Sequence, residues 1–107
     1  MSFELLYQPV AEDTLLDLRA KAKKSSIGSR QAGLYKQIHK TLKLLQENPR
    51  HPGLKTHEYS SLDNPFNPKE KVFEAYAQNK TPGAYRVFWC YGPDKGQITI
   101  IAITPHP

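Results

Sequence analysis

The stretch "AYRVFWCYGPDKGQITIIAITPHP", residues 84–107, decides the fold. Two apolar runs, 84–91 and 97–104, flank "GPDKG", and glycine, proline and aspartate are turn formers. The stretch therefore reads as a β-hairpin. Alternation along its first run places Tyr85, Val87, Trp89 and Tyr91 on one face and Ala84, Arg86, Phe88 and Cys90 on the other. Both sets contain residues that favour burial, so the sequence leaves open which one meets the rest of the chain. Two residues stand out. Arg86 is a fixed cation inside a run otherwise suited to burial, and His106 is a titratable ring between two prolines.

Upstream, "KVFEAYAQN" (71–79) alternates as a strand does, and "KTPG" (80–83) is a turn. "DNPFNPKE" (63–70) is a loop by its prolines and asparagines, and "LKTHEYSSL" (54–62) is an extended candidate strand. Before it, Ser29 is a candidate N-cap for a helix whose Leu34, Ile38, Leu42 and Leu45 form one apolar stripe. Arg30, Lys36, Lys40 and Lys43 occupy the opposite face, and "ENPRHPG" (47–53) stops the helix. "AEDTLLDLRAKAKKSS" (11–26) has acids first and lysines last, matching a helix dipole, before "IGS" (27–29) interrupts. "FELLYQPV" (3–10) reads as an opening strand.

Helices precede strands and do not alternate with them, so the expected class is α+β. Two N-terminal helices pack on one face of a 4–5-stranded, mainly antiparallel sheet, in a single domain spanning 1–107. The uncovered sheet face is the candidate site.

The 107 residues suit one core, and the net charge of +5 attracts polyanions in a salt-screened manner. Cys90 is the only cysteine, which excludes an internal disulfide and a multi-cysteine metal set and points to a reducing cytoplasm. No run of about 18 apolar residues exists to span a membrane. "MSFELLYQPVAED" has no basic n-region, so no signal peptide is expected. The four histidines have no ligand spacing, so no metal site is expected; no cofactor is expected either.

The order of elements, the "YRVFW" strand (85–89), the apolar "ITIIAIT" strand, the "TPHP" tail and "NPRHPGLKTHEY" (48–59) together resemble the RelE/ParE toxin superfamily. Within it, the histidine-containing tail is similar to the YoeB-like branch. The resemblance implies an mRNA endoribonuclease acting on the ribosome, silenced by a cognate antitoxin and needing no metal. A ribose 2′-OH would attack the adjacent phosphate, leaving a cyclic phosphate and a free 5′-OH. Such chemistry needs a proton acceptor, a cation for the phosphate and an acid for the leaving oxygen.

Carried over by position, Arg86 matches the phosphate-binding arginine and His106 the terminal residue acting as acid. The base is open among Glu74, His57 and Glu58, because Glu74 stands where a basic residue is often found. Lys55 is a candidate for the phosphate backbone, and Tyr59, Tyr76 and Tyr85 are candidates for stacking on bases. A structural reading competes for Arg86, as the cross-strand partner of Glu74. The alternative function is a non-nucleolytic member, either a ParE-type gyrase poison or a catalytically quiet antitoxin partner.

Overall fold

The computed structural model describes residues 2–24, 29–79 and 82–105. Its elements are β1 (Glu4–Tyr7), α1 (Pro9–Lys24), α2 (Arg30–Glu47), a 3₁₀ turn (Pro52–Leu54), β2 (His57–Glu58), β3 (Phe73–Tyr76), β4 (Tyr85–Tyr91) and β5 (Gln97–Pro105). Most of the interruption expected at 27–29, and Lys80 and Thr81 of the expected turn, lie outside the described residues. Among the described residues no helix is long and apolar enough to cross a membrane.

The helix ends follow local chemistry. Pro9 opens α1, where its missing N–H costs nothing, and Lys21, Lys23 and Lys24 lie in its last turn. Ser29 caps α2, its Oγ accepting the Ala32 N–H at 3.1 Å. Asn48 ends the helix in extended conformation, and prolines follow.

The five strands form one sheet in the order β1-β5-β4-β3-β2. β1 runs parallel to β5, and every other pair is antiparallel. The expected α+β architecture is thus observed. The helices settle the question of faces. Ile38, Leu42 and Leu45 of α2 and Ala11 and Leu18 of α1 share one core with Val87, Trp89, Ala75, Ile98, Ile100 and Ile103. Burying each large apolar side chain contributes roughly 1.5–3 kcal/mol. Trp89 stacks on Phe73 with ring centroids 4.8 Å apart, at the middle of the sheet.

A bulge in β5 sets the other face. Phe88 pairs with Ala102 while Trp89 pairs with Ile100, so Ile101 is an extra residue. Strict alternation after Ile98 and Ile100 would turn Thr104 toward the helices. The extra residue instead brings Ile103 into the core and sends Thr104 to the open face, opposite Arg86.

The extended segment expected at 54–62 contains only the two-residue β2. The backbone of Lys55 turns left-handed (φ 50°), and the chain bends away again at Ser60, so the strand is confined to His57 and Glu58, with one further backbone bond from the Tyr59 N–H to the Val72 carbonyl at 2.8 Å.

Cys90 is fully buried, and burial pushes its thiol up to about 11. Its folded value exceeds its unfolded one, so this contribution is intact below about pH 8.5–9 and is lost as pH rises through about 11. At pH 8 the thiol is expected to react with a disulfide reagent only as fast as the protein unfolds. Burst labelling of the native protein would contradict this.

Candidate functional site

Rows of side chains cross the open face. The register places His57 beside Glu74, Glu74 beside Phe88, and Phe88 beside Ala102. The next row is Tyr76, Arg86 and Thr104. Neighbours across strands share a face, so Glu74 and Arg86 are diagonal neighbours.

Glu74 is the centre. Its side chain is 1% exposed and its Oε1 lies 2.5 Å from Nε2 of His57, whose own side chain is 47% exposed. Its Oε2 lies 3.9 Å from Nε of Arg86, an ion-pair distance too long for a hydrogen bond. A buried carboxylate is therefore flanked by two groups that carry or can carry positive charge, one sealed and one half open.

Arg86 is anchored below the surface. Its Nη1 donates to the carbonyl oxygens of Gln78 at 2.6 Å and Tyr85 at 3.3 Å. The guanidinium lies 3.7 Å from the centre of the Tyr76 ring, a cation–π contact worth up to about 2 kcal/mol when desolvated. Only 9% of the side chain is exposed. Arg86 does not stand open for a phosphate as the resemblance implies, because the ring and the two carbonyls occupy most of it, and its burial beside Glu74 agrees with the competing structural reading. Its Nε is buried without a hydrogen-bond partner among the described residues and its Nη1 is held by the two carbonyls, which leaves Nη2 as the donor group to meet a ligand.

The His57 ring is held on both sides. Its Nε2 faces Glu74, and its Nδ1 lies 3.2 Å from the Lys55 carbonyl. Both neighbours present acceptor oxygens to the ring. The ring also meets Tyr76 edge-on at 5.7 Å. Lys55 stands near the same tyrosine, its Nζ 6.0 Å from the ring centre.

The fold has counterparts among solved toxin structures. A YoeB/ParE toxin from Agrobacterium tumefaciens superposes with a TM-score of 0.64 over 97% of this chain and 99% of its own, at 10% identity. The fold is that of the RelE/ParE toxins. The YoeB dimer from Staphylococcus aureus gives 0.62 over all of both chains at 13% identity. The archaeal RelE–RelB complex from Pyrococcus horikoshii gives 0.60 over 98% and 96% at 12% identity. The sequence matches no family model and no curated protein.

On this RelE/ParE fold, the residues singled out by sequence separate into groups. Arg86, Glu74, His57, Tyr76 and Lys55 come together on the open face. Tyr59 lies near them against Phe88, with centroids 4.7 Å apart. Tyr85 does not join them. It packs, partly buried, against the helix-covered core, away from the cluster on the open face where a base would have to stack beside Arg86. Glu58 pairs with Lys71 at 2.8 Å, and alternation puts it on the face of β2 opposite His57. His106 lies outside the described residues; the last described residue, Pro105, pairs with Tyr85, one position beyond the Thr104–Arg86 pair. Among the described residues no group of three His, Cys, Asp or Glu side chains could hold a metal.

The carboxylate–histidine pair was only partly visible in the sequence. His57 and Glu74 were separate candidates, and nothing in a two-residue strand followed by a long loop announces their register.

Proposed function

We propose that this chain is the toxin of a toxin–antitoxin pair and cleaves ribosome-bound mRNA in the cytoplasm, without a metal. The observation that carries the reading is the half-exposed His57 ring backed by the buried Glu74 carboxylate. Ionisable groups buried together cost stability, so their clustering on an open sheet face favours a site.

His57 is the proton acceptor, because Glu74 is sealed and Glu58 faces away. Glu74 holds Nε2 and steadies the charge that develops on the ring. A ribose 2′-OH takes the place of the Lys55 carbonyl at Nδ1 and gives up its proton there. The 2′-oxygen attacks phosphorus and the bond to the 5′-oxygen breaks. The departing oxygen takes a proton from His106, the acid that the resemblance assigns. The products are a 2′,3′-cyclic phosphate and a 5′-OH. The Lys55 ammonium neutralises the phosphate from the exposed side, and Arg86 contributes through Nη2 and its field.

The test is expression in a bacterial cell with sequencing of transcript 5′ ends. Wild type should arrest growth and leave discrete new ends, while His57→Gln and His106→Ala should leave transcripts intact. The burial of Arg86 favours one rival, a member that binds its antitoxin but does not cut. Growth arrest with intact transcripts and DNA damage would instead identify a gyrase poison, and no growth effect would identify the quiet partner.

Lys55 offers a separate check. Its left-handed backbone suits glycine, so Lys55→Gly should leave urea stability unchanged or raise it by up to about 1 kcal/mol. RNA binding should nevertheless weaken, and the dependence of log affinity on log salt should flatten by about one unit. A variant that binds RNA as wild type does would remove Lys55 from the site.

A further inference from the structure

A cleft of about 480 Å³ opens where α2 meets the 3₁₀ turn and the end of β3, beside Tyr76. Leu44 and Ala77 supply apolar surface, while Gln37, Lys40 and His51 supply polar groups. What those three offer a ligand is fixed by partners they already have.

His51 Nδ1 accepts the Gly53 N–H at 2.9 Å, so a neutral ring carries its proton on Nε2. A Cβ at position 53 would sit 3.0 Å from that nitrogen, so the glycine is what lets the ring fold back on the turn. Gln37 Oε1 accepts from Gln78 Nε2 at 3.0 Å, which leaves the Gln37 amide N–H groups to face a ligand. Lys40 is exposed and makes no ion pair among the described residues. The hydroxyl hydrogen of Thr41, which also lines the cleft, is committed to the carbonyls of Gln37 and Tyr76. Among the described residues no carboxylate lines the cleft. Gln37, Lys40 and His51 therefore offer donors to the cleft, one of them a full cation, and the space suits a mononucleotide better than a bare ion.

We infer that this cleft is a nucleotide subsite whose donors hold the phosphate of an RNA residue neighbouring the one that is cut, an assignment that rests on the ribonuclease reading. A phosphate offers only acceptor oxygens and carries the charge that Lys40 complements. The guanine edge also presents two acceptors, but it has no charge. Tyr76 joins the two places, since it lines the cleft and packs on Arg86.

The test is an NMR titration of the ¹⁵N-labelled full chain with adenosine 5′-monophosphate at low salt. The Gly53 amide and the Gln37 side-chain amide should shift, and Lys40→Gln should weaken binding about tenfold. Lys43→Gln, on the same helix outside the cleft, should bind as wild type does. Adenosine and guanosine, which lack the phosphate, should leave both amides unmoved. Equal shifts with adenosine, shifts with guanosine, or equal weakening by Lys43→Gln would each overturn the subsite. A chain that cuts no transcript yet gives the expected titration loses the ribonuclease reading and keeps the phosphate site. A chain that cuts transcripts while Lys40→Gln binds the nucleotide unchanged keeps the reading and loses the subsite.

Discussion

Arg86→Ala is expected to lower the free energy of unfolding by about 3–5 kcal/mol, a large part of the roughly 5–15 kcal/mol a domain of this size holds. Three losses combine. The sealed Glu74 carboxylate loses its diagonal cation, Tyr76 loses the guanidinium 3.7 Å from its ring centre, and the Gln78 and Tyr85 carbonyls lose a donor. Urea unfolding measures the sum, and a change under about 1 kcal/mol would mean that Arg86 is not a structural member of the cluster. Any lost activity in this variant must therefore be referred to the folded fraction. A double variant, Arg86→Met with Glu74→Leu, separates the roles. Replacing a buried ion pair by apolar side chains is often neutral or stabilising by about 1–4 kcal/mol, so it should recover most of the lost stability. It should remain unable to cut RNA, because His57 has lost its carboxylate.

His57→Gln is expected to slow RNA cleavage by about 10²–10⁴-fold, the usual contribution of a positioned acid–base group. Glutamine keeps a donor that can reach Glu74, so the buried carboxylate is not left without a partner. The residue is nearly half exposed, so the urea midpoint should move little. Single-turnover cleavage with a saturating oligonucleotide separates the chemical step from binding. A variant that cuts at the wild-type rate would exclude His57 as the proton acceptor, and with Glu74 sealed and Glu58 facing away the non-nucleolytic reading would take precedence.

The two variants probe opposite sides of one carboxylate. On the Arg86 side the expected loss is stability, because the charge there is buried and its partners are fixed. On the His57 side the expected loss is rate, because the ring reaches solvent and its removal leaves no buried charge without a partner.

The elements that local chemistry controls were legible from the chain alone. The cap at Ser29, the stripe from Leu34 to Leu45, the stop after Glu47 and the terminal hairpin all depend on residues a few positions apart, and all appear where expected. The order of helices and strands, and with it the resemblance to RelE/ParE toxins, followed from those local signals. Three things were decided only by packing. Which face of β4 the helices cover depends on long-range burial, since both faces of that strand are apolar. The bulge at Ile101 shifts β5 by one residue, and only the core's demand for Ile103 shows why Thr104 should turn outward beside Arg86. The joining of His57 to Glu74 requires a two-residue strand to find its register across a loop of fourteen residues, 59–72. No periodicity encodes such a pairing, because it is held by contacts between residues far apart in the chain.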